Sequence, residues 1–308
     1  MRKTDLVQRA VAILGPTASG KSALAMAVAT ANDGEIVACD ALMVYRGLDV
    51  GTNKPTAAER TRVPHHLVDV CDPTDDMEAG RYGELALAAV ADINARGKLA
   101  VIVVGTYLYY RALVHGLGPL PKGSPALRAE LTEKERADPG YLAREVARID
   151  PESFKEANGK NLPRLIRALE VFLLSGQSAS ALRAAHGFAS RRLQTKTIVL
   201  RPDRALLNAR IDARVQHMFA AGWKDEVAAL LARGVPLTAR AMQAVGYRDI
   251  ATAPDAPALV EQIATATRQY ARKQASFFRQ EAGAEVFAGF GEDALRDEAF
   301  TGGIARLR

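Results

Sequence analysis

The stretch AILGPTASGKS, residues 12–22, decides how the rest of the chain is read. An apolar run enters Gly15-Pro-Thr-Ala-Ser-Gly-Lys-Ser22, and the helical composition ALAMAVATA follows it. The spacing is G-x-x-x-x-G-K-[ST], and it stands between a strand and a helix, the setting in which such a loop cradles phosphate. Gly15, Pro16, Thr17, Ala18, Ser19, Gly20, Lys21 and Ser22 form a loop whose backbone N–H groups and following helix N-terminus make an anion site. Lys21 adds a point charge, and the Ser22 hydroxyl is a candidate ligand for Mg2+. A di- or triphosphate is therefore expected here.

Outward from this loop, strands and helices alternate. VAILG, GEIVACD, HHLVDVCD and KLAVIVVGT read as strands, with helices from about Lys21 and near Tyr82–Ala95. Nearly continuous apolar strands separated by helices predict an α/β fold, a P-loop NTPase-like parallel sheet covered on both faces. From about Leu120 the pattern becomes helices broken by Pro and Gly, and TKTIVLRP at 195–202 returns to the sheet. This predicts a discontinuous α/β core, 1–119 and 191–308, with C-terminal helices and a helical insertion over 120–190.

Composition narrows the function classes. The 308 residues carry a net charge of +6, and residues 181–280 hold 16 Lys/Arg against 7 Asp/Glu. That imbalance suggests a polyanionic partner. Two cysteines, Cys39 and Cys71, are too few for a disulfide framework or a zinc site and are expected to be buried thiols. No segment is apolar enough to cross a membrane, and MRKTDLVQRAVAILG has no signal-peptide core, so a cytoplasmic protein is expected. The adjacent His65 and His66 would point to opposite faces of an extended segment, which argues against joint metal binding.

Ligands of parallel sheets sit beyond the carboxyl ends of the strands. That rule selects Asp40, after EIVAC, and the pair Gly105-Thr106, after LAVIVV. Asp40 could accept a proton, bind magnesium or cap the segment that follows it. Thr106 could donate its hydroxyl into the cleft or cap the next helix. LAVIVV does not end in the acidic residue that nucleotide-hydrolysing P-loop proteins place there, so hydrolytic equipment is not evident. RKQASFFR at 272–279 mixes cations with aromatics, a combination that grips phosphates and stacks on bases.

Several stretches together resemble the tRNA dimethylallyltransferases: GPTASGKS, CDALMVYRGLDVGTNKP, VPHHLVDVCDP, VVGTYLYYRAL, LPRLIRALEVF, AVGYRD and TRQYARKQASFFR, in that order, from about Val11 to Arg279. The resemblance implies that the loop holds the diphosphate of dimethylallyl diphosphate with magnesium. The prenyl group would pass to the N6 amine of the adenosine 3′ of the anticodon. Lys21 would stabilise the leaving group, Asp40 would be the general base and Thr106 would contact the nucleotide. The implied contacts with the tRNA anticodon stem-loop are Asp40, Ala41, Leu42 and Met43; Thr106; Arg128; Pro163, Arg164, Leu165, Ile166 and Arg167; Gln243, Ala244, Val245, Gly246, Tyr247 and Arg248; and Arg272, Lys273, Gln274, Ala275, Ser276, Phe277, Phe278 and Arg279. Ala41, Val104, Pro163 and Phe277 depart from the usual family pattern. A monomer is expected. The rival readings are an adenylate isopentenyltransferase acting on free AMP or ATP, a small-molecule P-loop kinase, and an RNA-binding module with a vestigial loop.

Overall fold

The structure, a computed structural model, describes residues 9–118, 120–186, 191–298 and 300. The expected ends of the core, 1–8 and 301–308, and the boundary residues 119 and 187–190 lie outside the described residues. The chain divides into two compact units, Met1–Val114 with Arg192–Arg308, and His115–Arg191.

The first unit begins with β1 (Arg9–Leu14), the phosphate loop, α1 (Lys21–Ala31), β2 (Gly34–Cys39), α2 (Ala57–Arg62), β3 (His65–His66), α3 (Ala79–Ala95), β4 (Leu99–Val104) and α4 (Tyr107–His115). The second unit contains α5 (Pro125–Ala137), α6 (Tyr141–Ile149), α7 (Pro151–Glu156), α8 (Leu162–Ser175) and α9 (Ala179–His186). The first unit resumes with β5 (Gln194–Leu200), α10 (Arg204–Ala220), α11 (Trp223–Ala232), α12 (Tyr247–Thr252), α13 (Leu259–Phe278), β6 (Glu285–Phe287) and α14 (Gly291–Arg296).

The six strands form one parallel sheet in the order β3-β2-β4-β1-β5-β6. β1 is central, with Ala12 opposite both Ile102 and Thr197. Successive β1 residues feed opposite faces, as a period of two requires. Ala10, Ala12 and Leu14 join the core beneath α3, α4 and α10, while Val11 and Ile13 pack with Leu24, Val28 and Ala294 of α1 and α14. Because both faces are covered, the strands need apolar residues at every position, and the burial of RAVAIL from its second residue onward shows this.

The expected strand at HHLVDVCD is reduced to His65–His66, with one isolated bridge between Tyr45 and Cys71. Leu67 and Asp69 adopt left-handed φ of 62° and 59°, which ends the pleat. Asp69 turns instead to Lys54 and Arg60, at 2.6 and 2.7 Å. The expected C-terminal helices begin with α10 and α11, which are separated at Gly222, whose φ of 93° starts α11. β6 and α14 have no counterpart in the sequence pattern; three residues paired at a sheet edge are too short a run to recognise. Both cysteines are buried and unbridged.

The helical unit has its own core of Leu131, Leu142, Val146, Leu165 and Leu169. α8 starts on Asn161, whose side chain accepts from Arg164 N. Pro163 lies in that first turn, where a helix needs no N–H from it.

At the amino end of β2, Glu35 is buried and holds His66 Nε2 at 2.7 Å, Lys98 Nζ at 3.3 Å and the guanidinium of Arg96. His65 instead directs Nδ1 to Val63 O, so the two imidazoles serve separate partners. The hydrogen bond from Arg96 is the main reason the Glu35 carboxyl falls to about 2 from 4.5. A carboxylate with a depressed folded value contributes stability that is complete above about pH 4.5 and is lost as pH falls through about 2. Glu35→Gln should therefore melt below the wild type at pH 7, and the gap should narrow when both are measured from pH 5 down to pH 3. A gap that stays constant with pH would remove this carboxylate from the acid response.

Candidate active site

The parallel register places three strand ends side by side: the loop after β1, Asp40 after β2 and Gly105-Thr106 after β4. Gly105 N and Thr106 N both donate to Cys39 O, at 2.9 and 3.0 Å, so the ends of β2 and β4 are tied together. Thr106 Oγ1 accepts from Ala41 N at 2.9 Å. That bond uses backbone, so Ala41 needs no side-chain hydroxyl for it.

Asp40 divides its two oxygens between tasks. Oδ1 accepts from Leu42 N at 2.8 Å and Met43 N at 3.4 Å, which fixes the turn over 41–43. Capping is thus real, but it stabilises a turn and not a helix. Oδ2 lies over Gly105, where any Cβ would overlap it. The glycine is the space that the carboxylate occupies.

The phosphate loop bends through left-handed φ at Ala18 (63°) and Gly20 (83°). Left-handed residues among right-handed ones gather backbone N–H groups into an anion-binding nest. Gly20 also admits the backbone of Gly291, whose N–H donates to Ser19 O at 2.9 Å. Ser19 Oγ is buried without a partner, and Ser22 is exposed on the first turn of α1. These donors suit an anion, and the Ser22 hydroxyl and Asp40 carboxylate are hard oxygen ligands of the kind magnesium takes.

The electrostatics point the same way. Lys21 donates to Pro16 O at 2.8 Å, and burial, assisted by the Arg214 charge, lowers its pKa to about 7 against an upward pull from Asp40. Burial also lowers Arg214 on α10, again with Asp40 opposing. Among the described residues, these two cations thus share the one carboxylate of Asp40. Arg214 is not distinguished by the sequence. It lies in RALLNARIDARVQHM, one of several arginines on an amphipathic helix, and only the fold singles it out.

Gln274 also takes a different place from the one expected. It is buried, accepting from Thr17 N at 2.8 Å and donating to Gly105 O at 2.7 Å. Its amide therefore braces the phosphate loop against the end of β4 and is not a surface contact. One turn earlier, the phenol of Tyr270 has its pKa pushed up by desolvation and by Asp40.

The remaining expected contacts separate by exposure. On α13 and just after it, Arg272, Lys273, Ser276, Phe277 and Arg279 are exposed, while Phe278 is core and Ala275 half-buried. Phe277 stacks on Tyr107 with ring centres 6.1 Å apart and planes 15° apart. Of the AVGYRD region, Gln243 and Arg248 are exposed and Val245 is half-buried. Ala244 and Tyr247 are packing residues, a correction to their reading as surface contacts. Tyr247 donates to Glu226 at 2.6 Å, and Glu226 also accepts from the backbone of Asp49, Val50 and Gly51. Gly246, at φ 89°, leaves room for the Trp223 ring. In the helical unit Pro163 and Arg164 are exposed, Ile166, Arg167 and Arg128 half-buried, and Leu165 is core, so its side chain is likewise inaccessible.

Fold and site together define a P-loop-like α/β protein in which, among the described residues, the carboxylate of Asp40 and the half-buried cations Lys21 and Arg214 lie at the anion loop. The chain belongs to the IPP transferase family, whose model matches residues 43–281; the isopentenyl transferase model matches 8–69. Similar relatives include a tRNA dimethylallyltransferase of Geobacter metallireducens, 42% identical with 91% of this chain and 92% of that protein covered. One from Anaeromyxobacter dehalogenans is 45% identical, with 89% and 91% covered. Among solved structures, the tRNA isopentenylpyrophosphate transferase of Bacillus halodurans matches with TM-score 0.69 and 30% identity over 97% of each chain. A eukaryotic dimethylallyltransferase acting on tRNA has the same fold, at TM-score 0.77 and 22% identity, with 96% of this chain and 78% of that one covered.

Replacing Gln274 by Ala would leave Thr17 N–H and Gly105 C=O without their buried partner, at roughly 1–3 kcal/mol each. The variant should melt lower and bind inorganic diphosphate more weakly in calorimetry. Unchanged diphosphate affinity would show that the loop holds its shape without the brace.

Proposed function

We propose that this chain transfers a dimethylallyl group from dimethylallyl diphosphate to the N6 amine of the adenosine next to the anticodon in tRNA, with release of diphosphate. The observation that carries the reading is the Asp40 carboxylate, held over Gly105 beside the phosphate loop, in a chain of the IPP transferase family. Relatives named tRNA dimethylallyltransferase, alike over about nine-tenths of their length, favour tRNA as acceptor over free AMP or ATP. The exposed cations of α13 and of the helical unit suit an RNA backbone.

In the reaction the adenine N6 forms a bond to C1 of the dimethylallyl group while the bond from C1 to the diphosphate oxygen breaks. The electron pair of that bond leaves with the diphosphate, and the N6 proton passes to Asp40 Oδ2. Backbone N–H groups of the loop, Lys21 and Arg214 meet the charge that grows on the leaving oxygens, and such preorganised donors act most strongly where charge develops. Magnesium, held by the Ser22 hydroxyl, would neutralise part of the diphosphate charge. Because the leaving group needs no attacking water, a β4 that ends at Val104 and is followed by Gly105, not by an acidic residue, is consistent with the chemistry. Thr106 fixes the turn after Asp40 and so the direction of the base. An adenine must leave its stack to reach such a site, and Phe277 on Tyr107 offers a flat apolar surface for a neighbouring base. We place the protein in the cytoplasm and treat it as a monomer.

The deciding experiment incubates the protein with radiolabelled dimethylallyl diphosphate, magnesium and, in separate reactions, unmodified tRNA, AMP or ATP. Label on a tRNA adenosine is expected; label on AMP or ATP would overturn the acceptor assignment. Asp40→Asn, whose Oδ1 still accepts from Leu42 N and Met43 N, should retain tRNA affinity and lose about a hundredfold or more in kcat, the scale of general-base contributions. Near-normal turnover would remove Asp40 from the chemistry. Gly105→Ala should also fold and should lose on the order of a hundredfold in kcat, because its methyl displaces Oδ2. Normal kcat with Gly105→Ala would show that the carboxylate tolerates displacement.

A further inference from the structure

In the helical unit, Glu170 on α8 is wholly buried. Burial by itself raises a carboxyl pKa, yet Glu170 is held below its ordinary value by the groups that surround it. Oε1 accepts from Ser124 N at 2.7 Å and Arg128 Nε at 2.9 Å. Oε2 accepts from Arg128 Nη2 at 3.2 Å and Arg167 Nη1 at 2.6 Å. Two carboxylate oxygens offer about four acceptor sites, so this anion is saturated. Arg167 also donates from Nη2 to Pro121 O at 2.8 Å.

One buried anion therefore orients two guanidinium groups and the start of α5. The loop over 121–124 passes so close that a Cβ on Gly123 would overlap Arg128 Nη2. Both arginines remain part-exposed, with side-chain exposures of 39% and 33%, and the exposed Lys122 lies in the same loop. Arg128 keeps Nη1 uncommitted to Glu170, and Arg167 keeps Nε. Two cations on one carboxylate leave a net positive charge, and their planes are set before any ligand arrives. Fixed guanidinium forks match the geometry of phosphate oxygens, and their prior ordering lowers the entropy lost on binding.

We propose that Glu170 is a positioning residue for tRNA binding, holding Arg128 and Arg167 as a fixed pair of forks for the RNA phosphate backbone. The proposal rests on the reading of those two arginines as tRNA contacts. A glutamine in this place would accept at one oxygen only and would turn an NH2 toward guanidinium donors. Glu170→Gln therefore releases the pair while keeping the side chain's size.

The test uses the full chain, an unmodified tRNA anticodon stem-loop, binding measured at three salt concentrations, and steady-state kinetics. Glu170→Gln is expected to raise Kd and KM for the RNA about tenfold, to leave kcat unchanged, and to lower the salt slope by about one for each phosphate no longer neutralised. The double variant Arg128→Ala, Arg167→Ala should bind as weakly, and adding Glu170→Gln to it should cost nothing more. Arg167→Lys, which keeps the charge and the buried carboxylate, should bind RNA nearly as weakly as Arg167→Ala and covers the case in which Glu170→Gln fails to fold. A Glu170→Gln protein that melts lower yet binds RNA as the wild type does would reduce Glu170 to a structural ion pair and overturn the proposal. Wild-type affinity in Arg167→Lys would overturn it as well. If the double arginine variant binds RNA normally, the reading of the arginines as tRNA contacts fails first, an outcome separate from failure of the clamp.

Discussion

The parallel pairing of β2, β4 and β1 is the constraint from which the site follows. Hydrogen bonds between β2 and β4 fix Cys39 opposite Val104, and those between β4 and β1 fix Leu14 opposite Val104. The residues just beyond these positions are Asp40, Gly105 and Gly15, so one register line brings together the carboxylate, the glycine that gives it room and the start of the phosphate loop. A one-residue slip would turn every side chain of a strand to the other face. The two faces hold different clusters, with Ala12 and Ile102 on one and Ile13 and Val101 on the other, so the core enforces the register. The geometry of the site is thus a consequence of apolar packing well beneath it.

Charge in the site is incomplete. Lys21 and Arg214 are both lowered by burial, and Asp40 is the carboxylate that opposes this for both. Under the proposed function, an arriving diphosphate would supply further counter-charge to these two half-buried cations. Fixed charges of this kind need no reorganisation as the leaving group develops charge. The contrast with Glu35 is instructive. There Arg96, Lys98 and His66 compensate one buried carboxylate, and the cluster has a structural role at the opposite end of β2.

α13 works on two sides. Gln274 reaches inward to the phosphate loop and the end of β4, while Arg272, Lys273, Ser276 and Phe277 remain exposed. The same division governs the helical unit, where Leu165 and Leu169 fill the core and Arg167, on the same helix, is held half-exposed by Glu170. In both places a basic segment is ordered by a buried polar group, a glutamine in one and a carboxylate in the other.

The sequence by itself determined the G-x-x-x-x-G-K-S loop between strand and helix, the parallel α/β class, the helical insertion and the placement of Asp40, Gly105 and Thr106 directly after strands. Each of these is encoded locally: a glycine spacing, an unbroken apolar run, or a polar residue directly after a strand. Only the tertiary structure decided which cations lie near Asp40 and which polar residues are buried. Arg214 and Gln274 sit on helices whose local pattern matches many solvated ones, and their roles arise from contacts across as many as 257 positions of chain. Tyr247, Phe278 and Leu165 stand among basic neighbours yet belong to the core, because a helix places adjacent residues on different faces. The short β3 and β6 escape sequence reading for a related reason. Two or three residues carry too little periodicity to announce a strand, and the sheet edge beside them supplies what the sequence lacks.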